Sequence, residues 1–138
     1  PGAVVIVPRL ADGSVCLIRN FRISVKQTLI ELPAGTLDPG ESPQTTAERE
    51  LIEETGYRAG SMKQLHTFYL SPGILDERMH LFLATDLQPG EAHREVGEEI
   101  TNLVVSWNEA IAMIFRGEIQ DAKTIASLLY VHHRHPDA

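Results

Sequence analysis

The chain has 138 residues, the size of one domain with a core of its own, and 43% of them are apolar, which is ordinary for a globular protein. No stretch approaches the length of a membrane span, and a net charge of -7 leaves no basic stripe to neutralise a nucleic-acid backbone, so neither is an expected partner. The one cysteine, Cys16, lies in an apolar run, which excludes an internal disulfide and fits a reduced thiol in a cytoplasmic protein.

Residues 3–7 and 16–20 are β-rich runs joined through Ala11-Asp12-Gly13-Ser14, a hairpin-like turn signal. A short strand over 29–32 leads into Pro33-Ala34-Gly35. Ser42-Pro43 then opens a helix running to about residue 55: serine is a favoured N-cap, and proline is tolerated at the first helical position, where its missing N–H is not needed. Gly56 suits the left-handed residue that closes such a helix. Strands are predicted over 62–70 and 79–86, flanking the loop Ser71-Pro72-Gly73, and over 100–105. Ser106 with Glu109 three residues on is a capping box for a helix to about residue 115. Asp121 caps a last helix whose apolar face is Ile125, Leu128 and Leu129, and His132, His133 and His135 are expected in a frayed polar tail. Strands mixed with three helices predict an α/β sandwich on a mixed sheet, in one domain spanning 1–138.

The densest information lies between Gly35 and Tyr57, GTLDPGESPQTTAERELIEETGY. Gly35, Glu41, Arg49, Glu50, Leu51, Glu53, Glu54, Gly56 and Tyr57 stand at offsets whose chance occurrence in a chain this long is on the order of 10⁻⁷. Glu50, Glu53 and Glu54, at i, i+3 and i+4, project three carboxylates from one helix face, while Ala47 and Leu51 offer the opposite face to a core. Like charges at that spacing repel, so helix stability does not explain them. Hard divalent cations do: Mg²⁺ and Mn²⁺ take oxygen ligands from a few carboxylates, water and substrate phosphate. A solvated acidic face is the ordinary reading of glutamates on a helix, but Arg49, Glu41 and two glycines at fixed offsets argue against it.

This pattern resembles the Nudix box, complete and without departures, and the order of elements resembles the Nudix fold, an α/β/α sandwich with a mixed sheet, over essentially the whole chain. The resemblance implies a metal-dependent pyrophosphohydrolase acting on a nucleoside diphosphate linked to another moiety. Glu31-Leu32-Pro33-Ala34-Gly35 ahead of the box, Pro72 sixteen residues past Gly56, and the late Gly97-Glu98-Glu99-Ile100 segment look like the ADP-ribose pyrophosphatase branch. GDP-mannose, UDP-glucose and dinucleoside polyphosphate hydrolases share parts of the pattern and are the alternative. A non-catalytic nucleotide-binding module is the third reading, disfavoured because every box carboxylate is kept. Members of the ADP-ribose branch carry an extra N-terminal β-region that swaps between subunits, so a homodimer is implied. Either that region precedes Pro1 or base recognition works differently.

Carried onto this sequence, the resemblance makes Glu50 and Glu54 the main ligands of two to three Mg²⁺ or Mn²⁺ ions. The Ala34 carbonyl is added as a third oxygen, and Glu53 holds a further cation directly or through water. Arg49 would orient the glutamates through a forked pair that lysine forms poorly. Glu41 would pair with Arg49, and Gly35 would allow close backbone approach at the metal. Arg22 matches the arginine that reaches substrate phosphates, its alternative being a surface arginine at a strand end. Glu31 either contacts substrate or pairs structurally. Pro72 and Gly73 either shape a loop over the site or form a plain turn. The water's proton would pass to a carboxylate in a mobile late loop: Glu98 aligns best, with Glu95 and Glu99 as rivals, and Glu53 would take the role if the base lay in the box helix.

Overall fold

A computed structural model describes residues 2–136 and contains seven strands and three helices among them. The strand β1, Gly2–Pro8, is apolar at almost every position, and such a run is stable only with both faces covered. It lies inside a mixed four-stranded sheet, parallel to β6 (Arg78–Gln88) and antiparallel to the short β4 (Ala34–Thr36), with β5 (Arg58–Tyr69) on the far side of β6 as an edge. A second, antiparallel sheet has the order β3 (Gln27–Glu31), β2 (Val15–Arg22), β7 (Ile100–Val105).

Alternation along β1 builds two cores. Val4 and Ile6 meet Ala47 and Leu51 of helix α1 (Pro43–Thr55), together with Phe82 and Ala84. Ala3, Val5 and Val7 face the other way, onto Val15, Leu17, Trp107, Met113, Leu128 and Val131, which come from β2, helix α2 (Trp107–Phe115) and helix α3 (Ala122–Arg134). Helix, sheet and a second helical layer give the expected α/β/α arrangement. Cys16 is fully buried in this interior, and burial pushes its thiol up to about 12, so it is inert.

The caps follow the chemistry of the residues. Ser42 Oγ accepts from Thr45 N at 3.1 Å, Pro43 begins α1, and Gly56 closes it at φ 84 while donating to Ile52 O at 2.9 Å. Three expectations need correction. The Asp12-Gly13 turn does not close a hairpin: one bridge, Arg9 to Val15, is followed by divergence of β1 and β2 into separate sheets, because β1 needs cover on both faces. Pro33, lacking an N–H, interrupts the strand after Glu31, and β4 is a separate element. The C-terminal histidines are not a frayed tail: α3 runs to Arg134, and Trp107 Nε1 donates to His132 Nδ1 at 3.0 Å.

Candidate active site

Helix α1 packs over β4 with the three box glutamates on one flank, and Arg49 ties Glu50 and Glu53 together. Its Nε and Nη2 each reach Glu41 at 2.9 Å as a forked pair, while Nη1 reaches Glu50 at 2.9 Å and Glu53 at 3.1 Å. The forked pair holds the Glu41 carboxyl down at about 2, and Glu41 also accepts from Asp38 N and Thr46 Oγ1, which pins the loop before the helix.

Glu54 is almost fully buried and accepts from Ala34 N at 2.8 Å, binding helix to strand. Burial drives its carboxyl up to about 8 and that of Glu50 up to about 7; the neighbouring acids add to both, and Arg49 pulls Glu50 only partly back. Two carboxylates thus sit out of water with too little positive charge beside them. Gly35 adds a second constraint, since a Cβ built there would run into the Glu50 carboxylate. Among the described residues, no three acidic or histidine side chains converge as a closed cage: Glu50 and Glu53 are bonded to Arg49, and Glu54 to the Ala34 N–H. Hard oxygen donors, buried and short of positive charge, beside a backbone kept bare by Gly35, fit a divalent cation.

These groups line a cleft of about 450 Å³. Asn20 and Arg22 come from β2; Ala34, Gly35 and Thr36 from β4; Asp38 from the following loop; Arg49, Glu50, Glu53 and Glu54 from α1; Glu95 and Glu98 from the loop before β7. Of the candidate bases, Glu95 and Glu98 are therefore brought to the cleft and Glu99 is not among its lining residues. Glu98 is exposed and accepts from Glu95 N at 2.6 Å, beside Gly97 at φ 92. Glu31 is buried and reached by Arg22 through a forked pair at 2.8 and 2.7 Å, so it addresses the cleft only through that arginine. Pro72 and Gly73 are exposed and do not line it. Only the flanks of their loop, Leu70 and Glu77, reach an adjoining recess of about 280 Å³ that shares Arg22, Ala34, Gly35 and Thr36 with the cleft.

Sequence reasoning missed Arg94. Its guanidinium donates to Glu54 O at 3.0 and 2.7 Å and to Asn102 Oδ1, while Asn102 Nδ2 donates to Thr55 O and His93 N to Glu53 O. These bonds fasten the late acidic loop to the last carbonyls of α1. A lone arginine in an acidic run, some forty positions from its partner, gives no periodic signal. A larger groove of about 770 Å³ lies between the β1–β2 turn, Tyr57 and the end of β6, but holds none of the box glutamates.

Comparison with known proteins follows the same lines. Residues 1–128 match the family model described as NUDIX domain. The chain is 38% identical over 133 residues to an ADP-ribose pyrophosphatase of Bacillus subtilis (strain 168), covering 95% of this chain and 72% of that protein. It is 39% identical over 140 residues to a GDP-mannose pyrophosphatase of Citrobacter koseri, covering 95% and 73%. A crystal structure of an ADP compounds hydrolase superposes with a TM-score of 0.87 at 26% identity, over 96% of this chain and 71% of that one.

Proposed function

The chain belongs to the Nudix family and is a hydrolase of that family, and from this premise we propose that it cleaves the diphosphate of ADP-ribose, giving AMP and ribose 5-phosphate. The observation that carries the reading is one cleft lined together by Glu50, Glu53, Glu54, Arg22 and Glu98. A diphosphate needs cationic partners there, and an acidic protein supplies few of its own. GDP-mannose is the second reading, favoured by a comparable identity to a GDP-mannose pyrophosphatase.

Two to three Mg²⁺ or Mn²⁺ ions, when bound by Glu50, Glu54, Glu53 and the Ala34 carbonyl, would neutralise charge on the diphosphate and make water acidic enough to attack it. Arg49 holds Glu50 and Glu53 in register, and Glu41 fixes Arg49 through the forked pair. Arg22 addresses the phosphates from the end of β2. Glu98 takes the water's proton, its loop turning at Gly97; Glu95 is the rival in reach.

Residues 1–138 are proposed as one catalytic domain that acts as a cytoplasmic homodimer. No described helix is long and apolar enough to cross a membrane. Tyr69, Leu70, Ile74 and Leu75, at the end of the edge strand β5 and in its loop, are exposed and suit a second copy. The deciding experiment compares kcat/KM for ADP-ribose, GDP-mannose, UDP-glucose and diadenosine polyphosphates in Mg²⁺. ADP-ribose is expected to lead; a deficit of more than ~10-fold against another substrate, about 1.4 kcal/mol in transition-state binding, would overturn the choice.

A further inference from the structure

Behind Arg22 lies a second group of charges that the cleft itself does not use. Glu31 is 1% exposed, yet it takes three charge-assisted bonds: Arg22 Nε at 2.8 Å, Arg22 Nη2 at 2.7 Å and Lys123 Nζ at 3.0 Å. Lys123 is itself only 11% exposed and also reaches both carboxylate oxygens of Asp121, the N-cap of α3, at 3.1 Å. By contrast the Arg22 side chain is 43% exposed and lines both the cleft and the recess. The two cations on Glu31 therefore differ: Lys123 is mostly covered, held by two carboxylates and reaches only the recess, whereas Arg22 lines the cleft as well.

We propose that Lys123 is a positioning residue that keeps the buried Glu31 carboxylate paired while Arg22 turns from it toward the substrate diphosphate. The inference rests on the pyrophosphohydrolase reading. With Nε and one Nη2 hydrogen committed to Glu31, Arg22 keeps three of its five N–H groups, and turning from Glu31 makes its Nε–Nη2 edge available as a further fork for phosphate. If Arg22 were the sole counter-charge, withdrawing it would strand a bare carboxylate out of water, and that penalty would lock the pair shut. Lys123 removes the lock, because Glu31 keeps an ammonium partner whichever way Arg22 points. The lysine is well placed for this, since α3 is independently anchored by Leu32 N donating to Thr124 Oγ1 at 2.9 Å.

The test is a set of variants: Lys123→Met, Lys123→Arg, Lys123→Met with Glu31→Gln, and Lys123→Met in an Arg22→Ala background. Lys123→Met is expected to lower kcat/KM by about tenfold, mainly through KM, as Arg22 stays on Glu31. Lys123→Arg should retain activity. Adding Glu31→Gln should restore most of the loss, because a neutral amide no longer holds the arginine. With Arg22 already removed, Lys123→Met should cost little more. Calorimetric titration of the same variants with inorganic pyrophosphate in Mg²⁺ reports Arg22's reach for phosphate, whether or not the nucleotide panel is turned over. Absence of turnover with intact pyrophosphate coupling would sink the functional reading alone. A Lys123→Met protein with unchanged KM and pyrophosphate affinity, or a loss that Glu31→Gln deepens, would overturn the role of Lys123.

Discussion

Two arginines line one cleft and are held in opposite ways. Around Arg49 negative charge is in excess: Asp38, Glu41, Glu50 and Glu53 all lie within ion-pair reach of one guanidinium, with the buried Glu54 beside them. Around Arg22 the charges balance, Arg22 and Lys123 against Glu31 and Asp121. A balanced group suits a pair that positions; an unbalanced one suits a site that takes up cations. The same residue types therefore serve different ends according to their local charge sum.

The largest expected effect probes the rim of the acidic wall. Glu98→Gln should lower kcat by roughly 10²–10⁴-fold with little change in metal affinity, as loss of a general base does. Glu95→Gln and Glu99→Gln should be much milder. A silent Glu98→Gln with a large loss in Glu53→Gln would move the base into α1 and weaken the ADP-ribose assignment.

Next, Glu54→Gln should reduce kcat by at least ~10²-fold in saturating Mg²⁺ while thermal melting shows an intact fold, since the amide oxygen can still accept from Ala34 N. Near-normal turnover would remove Glu54 from the ligand set. Arg49→Lys should cost on the order of tenfold in kcat/KM, because an ammonium cannot form the fork with Glu41 and also reach Glu50 and Glu53. Full activity would show that the acidic wall needs no such clamp.

The smallest effect is thermodynamic and tests the charge excess directly. Glu50 and Glu54 are raised to about 7 and about 8 from an ordinary 4.5, so the folded state holds their protons more tightly than the unfolded chain. That contribution to stability is complete below pH 4.5 and is lost as pH rises through 7 to 8. Glu41, held down at about 2, acts with the opposite sign and only below pH 4.5. Metal-free protein should therefore melt lower at pH 8.5 than at pH 5.5, by on the order of a few kcal/mol of unfolding free energy, and Mg²⁺ should stabilise it more as pH rises. A melting temperature that climbs over that range without metal would contradict the excess.

Local chemistry was legible where it is self-contained. Ser42, Pro43 and Gly56 bound α1 as their backbone preferences demand, and the spacing of Glu50, Glu53 and Glu54 put them on one face. Signals that need a distant partner were not. The Asp12-Gly13 turn reports its own conformation and not which strands pair, and Pro72-Gly73 marks a turn without saying which way it points. Lys123 and Glu31 are 92 positions apart, and nothing in the local pattern of α3 marks that lysine as different from a solvated one.

The fastening of the late loop to α1 sets a reach. Arg94 grips the Glu54 carbonyl on one side, and on the other the Glu99 carbonyl accepts from Phe21 N at 3.1 Å, just before β7 pairs with β2. Only residues 95–98 hang between these two moorings. Four residues of extended chain span no more than ~14 Å, so any swing of Glu98 is a short arc and not the sweep of a long flap. The first mooring is the main chain of Glu54 itself, a proposed metal ligand. A shift of α1 on loading cations would be handed directly to the loop, making the acidic helix the lever and the proposed base its tip.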